Sequence, residues 1–315
     1  MSTRAILFPG QGAQFVGMAA DLLDRSPRAK EMFEAASDLL GEDLYRICAE
    51  GPREALDSTA ISQPAIFTVS LAVVSAIESA SSEDVLESFA TAGLSLGEYS
   101  ALVFAGAVRF EDALEVVIER GRLMQEACDR VRGGMTTILG LVLSEVEELV
   151  AIISEVGVIS VANVNSETQI VVSGEEKALE RAAEMAISMG AGRVIPLRVA
   201  GAYHSPLMAT ATTQLKPTLE KLEIVEPGIG FIPNVLAEWV SDPEHIRKCL
   251  IRQMESPVLW QPTLRVLKEK GLESVVEPGP GRVIAGLVKQ VDREISVQSV
   301  LDAQSTEALV GEGQS

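Results

Sequence analysis

Residues 91–106 read TAGLSLGEYSALVFAG, and within them Gly93-Leu94-Ser95-Leu96-Gly97 is a G-x-S-x-G pentapeptide. The residues around its start, Ser88–Ala92, fit a short buried strand, and Glu98–Ala107 fits a helix. Strand, glycine-bounded turn and helix make a nucleophile elbow. The glycines allow a turn sharp enough to lift a serine Oγ clear of a sheet, and the helix N-terminus behind it favours negative charge. The pentapeptide alone also suits a serine in an ordinary glycine-rich turn; the strand before it and the helix after it favour the nucleophile.

Outward from the elbow the same alternation continues. Ala5–Phe8 reads as a buried strand stopped by Pro9-Gly10, Arg28–Leu40 as a helix, and residues 64–79 as a helix apolar nearly all round and therefore buried. Glu111–Ala127 is a further helix, begun by acids as helix polarity prefers. Strands alternating with helices imply a parallel α/β sheet. Near residue 133 the texture changes. A strand at Met135–Val142 leads to a helix for which Ser144 is the expected N-cap, with Glu147 three residues on. Strands at Val158–Val164 and Gln169–Val172, a helix at Glu175–Met189 and a strand at Arg193–Val199 complete a β-α-β-β-α-β unit, the ferredoxin-like arrangement. The expected organisation is thus a discontinuous large α/β subdomain, 1–132 and 200–301, with an inserted ferredoxin-like subdomain at 133–199. Strand and helix texture resumes after the insertion, with Ser274–Glu277 and a helix from near Gly281, and residues 302–315 read as a flexible tail of low apolar content.

The chain has 315 residues, 47% hydrophobic and 23% charged, which suits a globular protein with a large core. Its formal net charge of −19, from 45 acidic against 26 basic residues, argues against nucleic acid, since no cationic cluster is dense enough to neutralise several phosphates. The N-terminus has a run of only four apolar residues before Pro9, short of a signal-peptide core. The long apolar stretch Ala60–Ile77 is interrupted by Ser62, Gln63, Pro64, Thr68, Ser70 and Ser75, which does not suit a membrane span. Cys48, Cys128 and Cys249 are dispersed, with no disulfide framework and no C-x-x-C, so a reducing, cytoplasmic setting is expected. A monomer without nucleic-acid or membrane partners is the expected state.

A serine nucleophile needs a base, and the chain has two histidines. His245, in SDPEHIRKC, reads as a solvated residue at a helix start; His204, in VAGAYHSPLM among small residues, is the better base, although a packed histidine is the other reading. Two histidines with scattered cysteines do not suit a metal site. Gly10-Gln11-Gly12 follows the first strand; it is either a strand-end turn or a loop whose N–H groups face an oxyanion. Arg120 lies one step off the buried stripe Leu114, Val117, Ile118, Gly121 and Met124. A cation there needs an anion, either a structural acid or a substrate carboxylate gripped by the guanidinium fork.

These motifs, taken together, resemble a family. FPGQGAQ (8–14), GLSLGEYSALVFAGA (93–107), ERGRLMQEA (119–127) and GAYHSPLM (201–208) are similar to segments of the malonyl-CoA:acyl carrier protein transacylases of fatty-acid synthesis. So are ANVNSETQIVVSG (162–174), PNV (233–235), RQMESPVLW (252–260) and EPGPGRVIAGL (277–287). They stand in the same order and span about Arg4 to Val300. The resemblance implies an α/β-hydrolase-like large subdomain with a ferredoxin-like insertion, and ping-pong transfer of malonyl from coenzyme A to the phosphopantetheine thiol of acyl carrier protein. It implies no permanently bound cofactor. It makes Ser95 the acyl-carrying nucleophile, His204 its base, Gln11 and Leu96 the oxyanion-hole amides, and Arg120 the holder of the malonyl carboxylate. Gln253, through its carbonyl, would orient the histidine, and Asn234, near the same site, is assigned the same histidine-orienting role. Tyr203 and Leu96 resemble the malonyl-type pattern rather than the methylmalonyl type.

The resemblance departs at Leu94, where a histidine commonly precedes the serine; members with leucine there also carry a segment like Gly201–His204. Leucine removes a polar neighbour but adds no charge and blocks no backbone donor, so activity is expected to survive. Arg130, Arg132, Arg193, Arg198, Arg282 and Lys289 are candidates for docking an acidic carrier protein. Two other readings stand at this point. A serine thioesterase or hydrolase would use the same pair, although α/β-hydrolases usually place the histidine near the C-terminus. A non-catalytic carrier-binding homologue has only Leu94 in its favour.

Overall fold

The structure, a computed structural model, describes residues 2–23, 25–81 and 85–313. Strand β1 (Arg4–Phe8) is followed by helices α1 (Pro27–Leu40), α2 (Leu44–Glu50), α3 (Arg53–Asp57) and α4 (Thr59–Ala80). Strand β2 (Ala90–Gly93), α5 (Gly97–Phe104) and α6 (Phe110–Arg130) come next. The inserted unit is β3 (Gly133–Leu139), α7 (Leu143–Ile153), β4 (Ile159–Ser166), β5 (Gln169–Glu175), α8 (Glu176–Ser188) and β6 (Arg193–Pro196). The chain then returns through α9 (Ala209–Lys221), β7 (Gly230–Phe231), α10 (Pro243–Gln253), α11 (Trp260–Glu269), β8 (Ser274–Pro278), α12 (Val283–Val291), β9 (Ser296–Val300) and α13 (Ala303–Gly313).

The larger sheet is parallel throughout, in the order β7-β2-β1-β8-β9. Its central strand β1 is an apolar run, Ala5–Phe8, with every residue buried, as a parallel strand covered by helices on both faces requires. The register pairs Phe8 with Gly93. Gln11 and Ser95 therefore leave the sheet side by side, just beyond the carboxyl ends of neighbouring strands, where open α/β sheets bind ligands. Helix α4 is largely apolar, is buried along most of its length, and lies in the core against α1, α6 and α13. By length and composition it could cross a bilayer, but 89% of its most apolar window is buried inside the fold, so the polar residues along it mark a core helix rather than a span.

The smaller sheet is antiparallel, in the order β4-β5-β3-β6. Alternation along its strands assigns two faces. Ile138, Ile170 and Val172 pack with Val146 and Leu149 of α7 and Ala178 and Ala182 of α8. Met135, Thr137 and Val171 face the other way, over the end of the larger sheet. The two units are stitched by main chain: Val258 donates to the Ala162 carbonyl at 2.8 Å, and the Val164 N–H donates to the Val258 carbonyl at 2.9 Å.

Several local expectations need correction. Strand β3 starts two residues early and stops at Leu139, because pairing with β5 begins at Gly133 and Gly140 turns left-handed at φ 100°. Helix α7 starts at Leu143, not after a Ser144 cap; the Glu145 carboxylate accepts from the Val142 N–H at 2.9 Å and closes that end instead. The segment expected to be a flexible tail is folded in α13, its last two residues lying outside the described ones. Asp302 accepts from the Ser305 N–H at 2.8 Å, as an N-cap does, and Ala303, Thr306, Leu309 and Val310 recur on one face that packs into the core. Four small or apolar residues at helical spacing suffice where average composition looked too polar. Leu309→Ala should therefore cost about 2–5 kcal/mol, seen as a lower midpoint in chemical denaturation; an unchanged midpoint would mean that α13 contributes nothing to the core.

Candidate active site

The elbow is built by close approach. A Cβ on Gly97 would lie 2.4 Å from the Phe8 carbonyl oxygen, and one on Gly93 would lie 2.1 Å from the Gly97 carbonyl oxygen, so only glycine lets helix α5 start against the end of β1. Between them Ser95 takes the left-handed conformation, φ 50°, which costs a non-glycine residue of order 1–3 kcal/mol and needs support from its surroundings. Asn234 and Gln253 supply it. Asn234 Oδ1 accepts from the Ser95 N–H at 2.7 Å and its Nδ2 donates to the Gly93 carbonyl at 2.6 Å, while Gln253 Nε2 donates to the Ser95 carbonyl at 2.8 Å.

His204 approaches from the loop after β6, also left-handed at φ 56°, and is 4% exposed. Its Nε2 lies 2.8 Å from Ser95 Oγ, and its Nδ1 lies 3.0 Å from the carbonyl oxygens of both Gln253 and Ser256. Two acceptors facing Nδ1 assign the proton to that nitrogen and leave the Nε2 lone pair for the serine hydroxyl. Burial holds the imidazole well below its ordinary range, at about 4, and the nearby Arg120 charge adds to this; the bonds to the two carbonyls act in the opposite sense. At neutral pH the ring is uncharged and able to take a proton.

Arg120 is fully buried and reaches the same serine. Its Nη2 donates to Ser95 Oγ and to Gln253 Oε1, each at 3.0 Å, and its Nη1 donates to Gln63 Oε1 at 2.6 Å. The guanidinium stands 5.6 Å from the Tyr99 ring centre, a cation–π distance. Its direct polar partners are neutral, and its Nε has no partner among the described residues. The buried acid nearest in the network is Glu98, whose Oε2 accepts from Gln253 Nε2 at 2.9 Å and from the Asn234 N–H at 3.0 Å. Burial pushes the Glu98 carboxyl up to about 7, against the pull of those two bonds and of the Arg120 charge.

A cavity of about 250 Å³ opens over Ser95 and His204. Gln11, Leu94 and Tyr203 line its floor, and Thr137, Asn163, Asn165 and Gln169 of the smaller sheet line its roof. Asn165 Oδ1 is buried and has no partner among the described residues, so this roof holds an open acceptor. The Gln11 side chain is held by Thr59 and Tyr203, each 3.3 Å away. Among the described residues neither the Gln11 nor the Leu96 N–H is engaged by a protein acceptor, and a Cβ on Gly10 would come 2.4 Å from the Leu94 carbonyl oxygen, so the two loops touch. The Leu94 side chain lies among apolar residues that include Leu287 and Ile284, while its backbone bonds to Phe8 and Gly97.

Ser95, His204, Arg120, Gln11, Leu96, Gln253 and Asn234 thus lie around one end of the larger sheet. Asn234 differs from its expected role: it clamps the turn at Gly93 and Ser95 rather than orienting the histidine, because its amide is used up on the elbow backbone. His245 is exposed on α10, away from the cluster. Ser256, Gln63 and Glu98 belong to the site without having been singled out in the sequence. The last two carried a signal, since each is a long polar side chain inside a largely apolar, buried helix. Ser256 carried none, because it acts through its backbone oxygen.

Over residues 6–313 the chain matches the acyl transferase domain family. It is 40% identical over 311 residues to the malonyl CoA-acyl carrier protein transacylase of Bacillus subtilis, covering 98% of this chain and 97% of that protein. An acyl carrier protein S-malonyltransferase from Vibrio cholerae has a similar structure, with a TM-score of 0.91 and 38% identity over 98% of this chain and 100% of that one. A malonyl-transacylase solved in complex with its type II PKS acyl-carrier protein superposes with a TM-score of 0.93 and 37% identity, covering 99% of this chain and 100% of that one.

The histidine makes a direct test. Nitrogen NMR should show His204 protonated at Nδ1 alone at neutral pH, with a midpoint near 4; a midpoint near 6.5 would mean a solvated ring and would undo the buried geometry. The folded value lies below the unfolded one, so the contribution of His204 to stability is complete above about 6.5 and is lost as pH falls toward 4.

Proposed function

The chain belongs to the acyl transferase domain family, and on that footing we propose that it transfers a malonyl group from malonyl-CoA to the phosphopantetheine thiol of acyl carrier protein. It is an enzyme, an acyl-carrier-protein S-malonyltransferase, and the transfer is proposed to run by a ping-pong route through malonyl-Ser95. The observation that carries this reading is a single oxygen. Ser95 Oγ lies 2.8 Å from a neutral imidazole and 3.0 Å from a buried guanidinium.

In the first half-reaction His204 Nε2 accepts the serine proton as Oγ attacks the thioester carbonyl. The Nδ1–H bonds to the Gln253 and Ser256 carbonyls stabilise the imidazolium that forms, in the place of an acidic third member. The Gln11 and Leu96 N–H groups are the proposed donors to the oxyanion, and loss of one such donor typically costs ~3–4 kcal/mol. Coenzyme A leaves as the thiol, taking the proton from His204. In the second half-reaction the carrier's thiol gives its proton to His204 and attacks the ester carbonyl, forming the new thioester, and the Ser95 oxygen leaves as it takes that proton back from His204. Arg120 reaches Oγ through Nη2 and has an unpartnered Nε among the described residues, and it is the proposed partner of the malonyl carboxylate, gripped by its fork.

The amides roofing the cavity suit the amide-bearing pantetheine arm shared by coenzyme A and the carrier, and Asn165 Oδ1 is an acceptor left for it. Gln169 also lines an open groove bordered by Lys289 and Arg293, a cationic edge on an acidic protein and a fitting approach for an acidic carrier. The three cysteines are unpaired, which supports the cytoplasmic location proposed for the enzyme.

Intact-protein mass spectrometry after brief exposure to malonyl-CoA tests the reading. A malonyl adduct is expected on the native chain, absent in Ser95→Ala and discharged by carrier protein; release of free malonate as fast as transfer would make the protein a hydrolase. Arg120→Ala should lower acylation by malonyl-CoA by at least tenfold, the scale of a lost charged hydrogen bond, and narrow its advantage over acetyl-CoA. Equal losses on the two donors would remove the carboxylate role.

A further inference from the structure

Glu98, Gln253 and Arg120 are each fully buried, and one amide joins the two charged groups: Gln253 Nε2 donates to Glu98 Oε2 at 2.9 Å and Gln253 Oε1 accepts from Arg120 Nη2 at 3.0 Å. The other buried carboxylate among the described residues, Glu277, is engaged elsewhere, by the N–H groups of Ile284 and Ala285 and the Ser299 hydroxyl. We propose that Glu98 is the internal counter-charge of Arg120, ionised while the acyl site is empty and protonated once the acyl group's own carboxylate docks on the guanidinium. Glu98 would then be a positioning and specificity-determining residue, and this role rests on the reading of Arg120 as the carboxylate partner.

Charge balance is the reason. An empty site holds one buried cation and one buried anion, which compensate each other. A docked malonyl carboxylate would make two anions for one buried cation, and a second like charge drives a carboxylate to take up a proton. The structure has room for that proton. Both bonds to Glu98 fall on Oε2, whereas Oε1 is buried and has no partner among the described residues. Protonation at Oε1 leaves the bonds to Gln253 and Asn234 in place, so the charge changes without moving the elbow.

The other ionisable groups around Glu98 do not change state near neutrality. Arg120, from α6, stays cationic. Tyr99, beside it on α5, and Cys249, from α10, are each pushed up to about 12 by burial. His204, behind Gln253, is held down at about 4. Glu98, raised by burial to about 7, is the group of this cluster that titrates between pH 6 and 9.

The chemistry keeps the proton count simple. Acylation forms the Ser95 ester bond and breaks the thioester, and the serine proton leaves on the coenzyme A thiol, so transfer itself neither consumes nor releases a proton. Proton uptake should be followed with an indicator dye in weak buffer near pH 7.5, during single-turnover loading from malonyl-CoA and, separately, from acetyl-CoA. The expected result is uptake of a substantial fraction of a proton per serine with malonyl-CoA, and none beyond thiol equilibration with acetyl-CoA. In parallel, the malonyl-to-acetyl ratio of kcat/KM should fall as pH rises above about 7, by up to about tenfold per unit, and should be flat in Glu98→Gln. That variant can keep both Oε2 bonds with its amide oxygen and place its NH2 at the open Oε1 position; the wild-type proton count needs no variant. Equal proton counts for the two donors, with a flat wild-type ratio, would overturn the role of Glu98 even where Arg120→Ala collapses the ratio. An unchanged ratio in Arg120→Ala would overturn the carboxylate reading itself, and this role with it.

Discussion

The left-handed turn at Ser95 is a conformation that the local chain would not choose, and the bonds that hold it come from residues far away in sequence. Asn234 takes the N–H of Ser95 and the carbonyl of Gly93, and Gln253 takes the Ser95 carbonyl. Behind both stands one carboxylate oxygen of Glu98. Gln253 then works twice more, since its backbone carbonyl meets His204 and its side-chain oxygen meets Arg120. A change in this small network would reach Ser95, His204 and Arg120 together, which makes the site a cooperative unit rather than a set of independent contacts.

Burial gives the site its electrical character. A solvated histidine would be partly charged near neutrality, but here desolvation and the neighbouring guanidinium keep the ring neutral and its Nε2 open. The same cation donates to the serine oxygen, so any negative charge on Oγ would meet a fixed positive partner. Removal from water raises the strength of these interactions and also their cost, which is why the guanidinium is surrounded by glutamine oxygens and an aromatic face.

The two sheets divide the labour. The parallel sheet places Gln11 and Ser95 next to each other at the carboxyl ends of β1 and β2, and the antiparallel sheet lays a polar face over them. Residues 253–259 bind the parts together: Gln253 and Ser256 bond to His204, Val258 joins β4, and the Leu259 N–H donates to the Asn234 carbonyl at 2.9 Å. The alternation that gives the smaller sheet an apolar face for α7 and α8 also gives it the face carrying Thr137, Asn163 and Gln169.

Much of this was legible in the chain alone. Periodicity marked the buried strand β1, the largely apolar α4 and the β-α-β-β-α-β insertion, because hydrophobic spacing is a local consequence of which face is covered. The pentapeptide marked the elbow, since glycine is forced wherever backbone meets backbone. The position of Arg120 beside an apolar stripe marked a buried cation. Other features depended on contacts between distant segments. Asn234 could be placed near the site but not on the elbow, because an amide serves either role and only the fold brings it against Gly93 and Ser95. Ser256 contributes a carbonyl that every residue possesses, so no side chain could announce it. The C-terminal helix was hidden because its apolar face is narrow and has value only against the surfaces of α4 and β9. Residue type and spacing thus determined the elements and the chemical candidates, while burial, charge state and hydrogen-bond direction were decided by the tertiary structure, because each depends on which groups exclude water from one another.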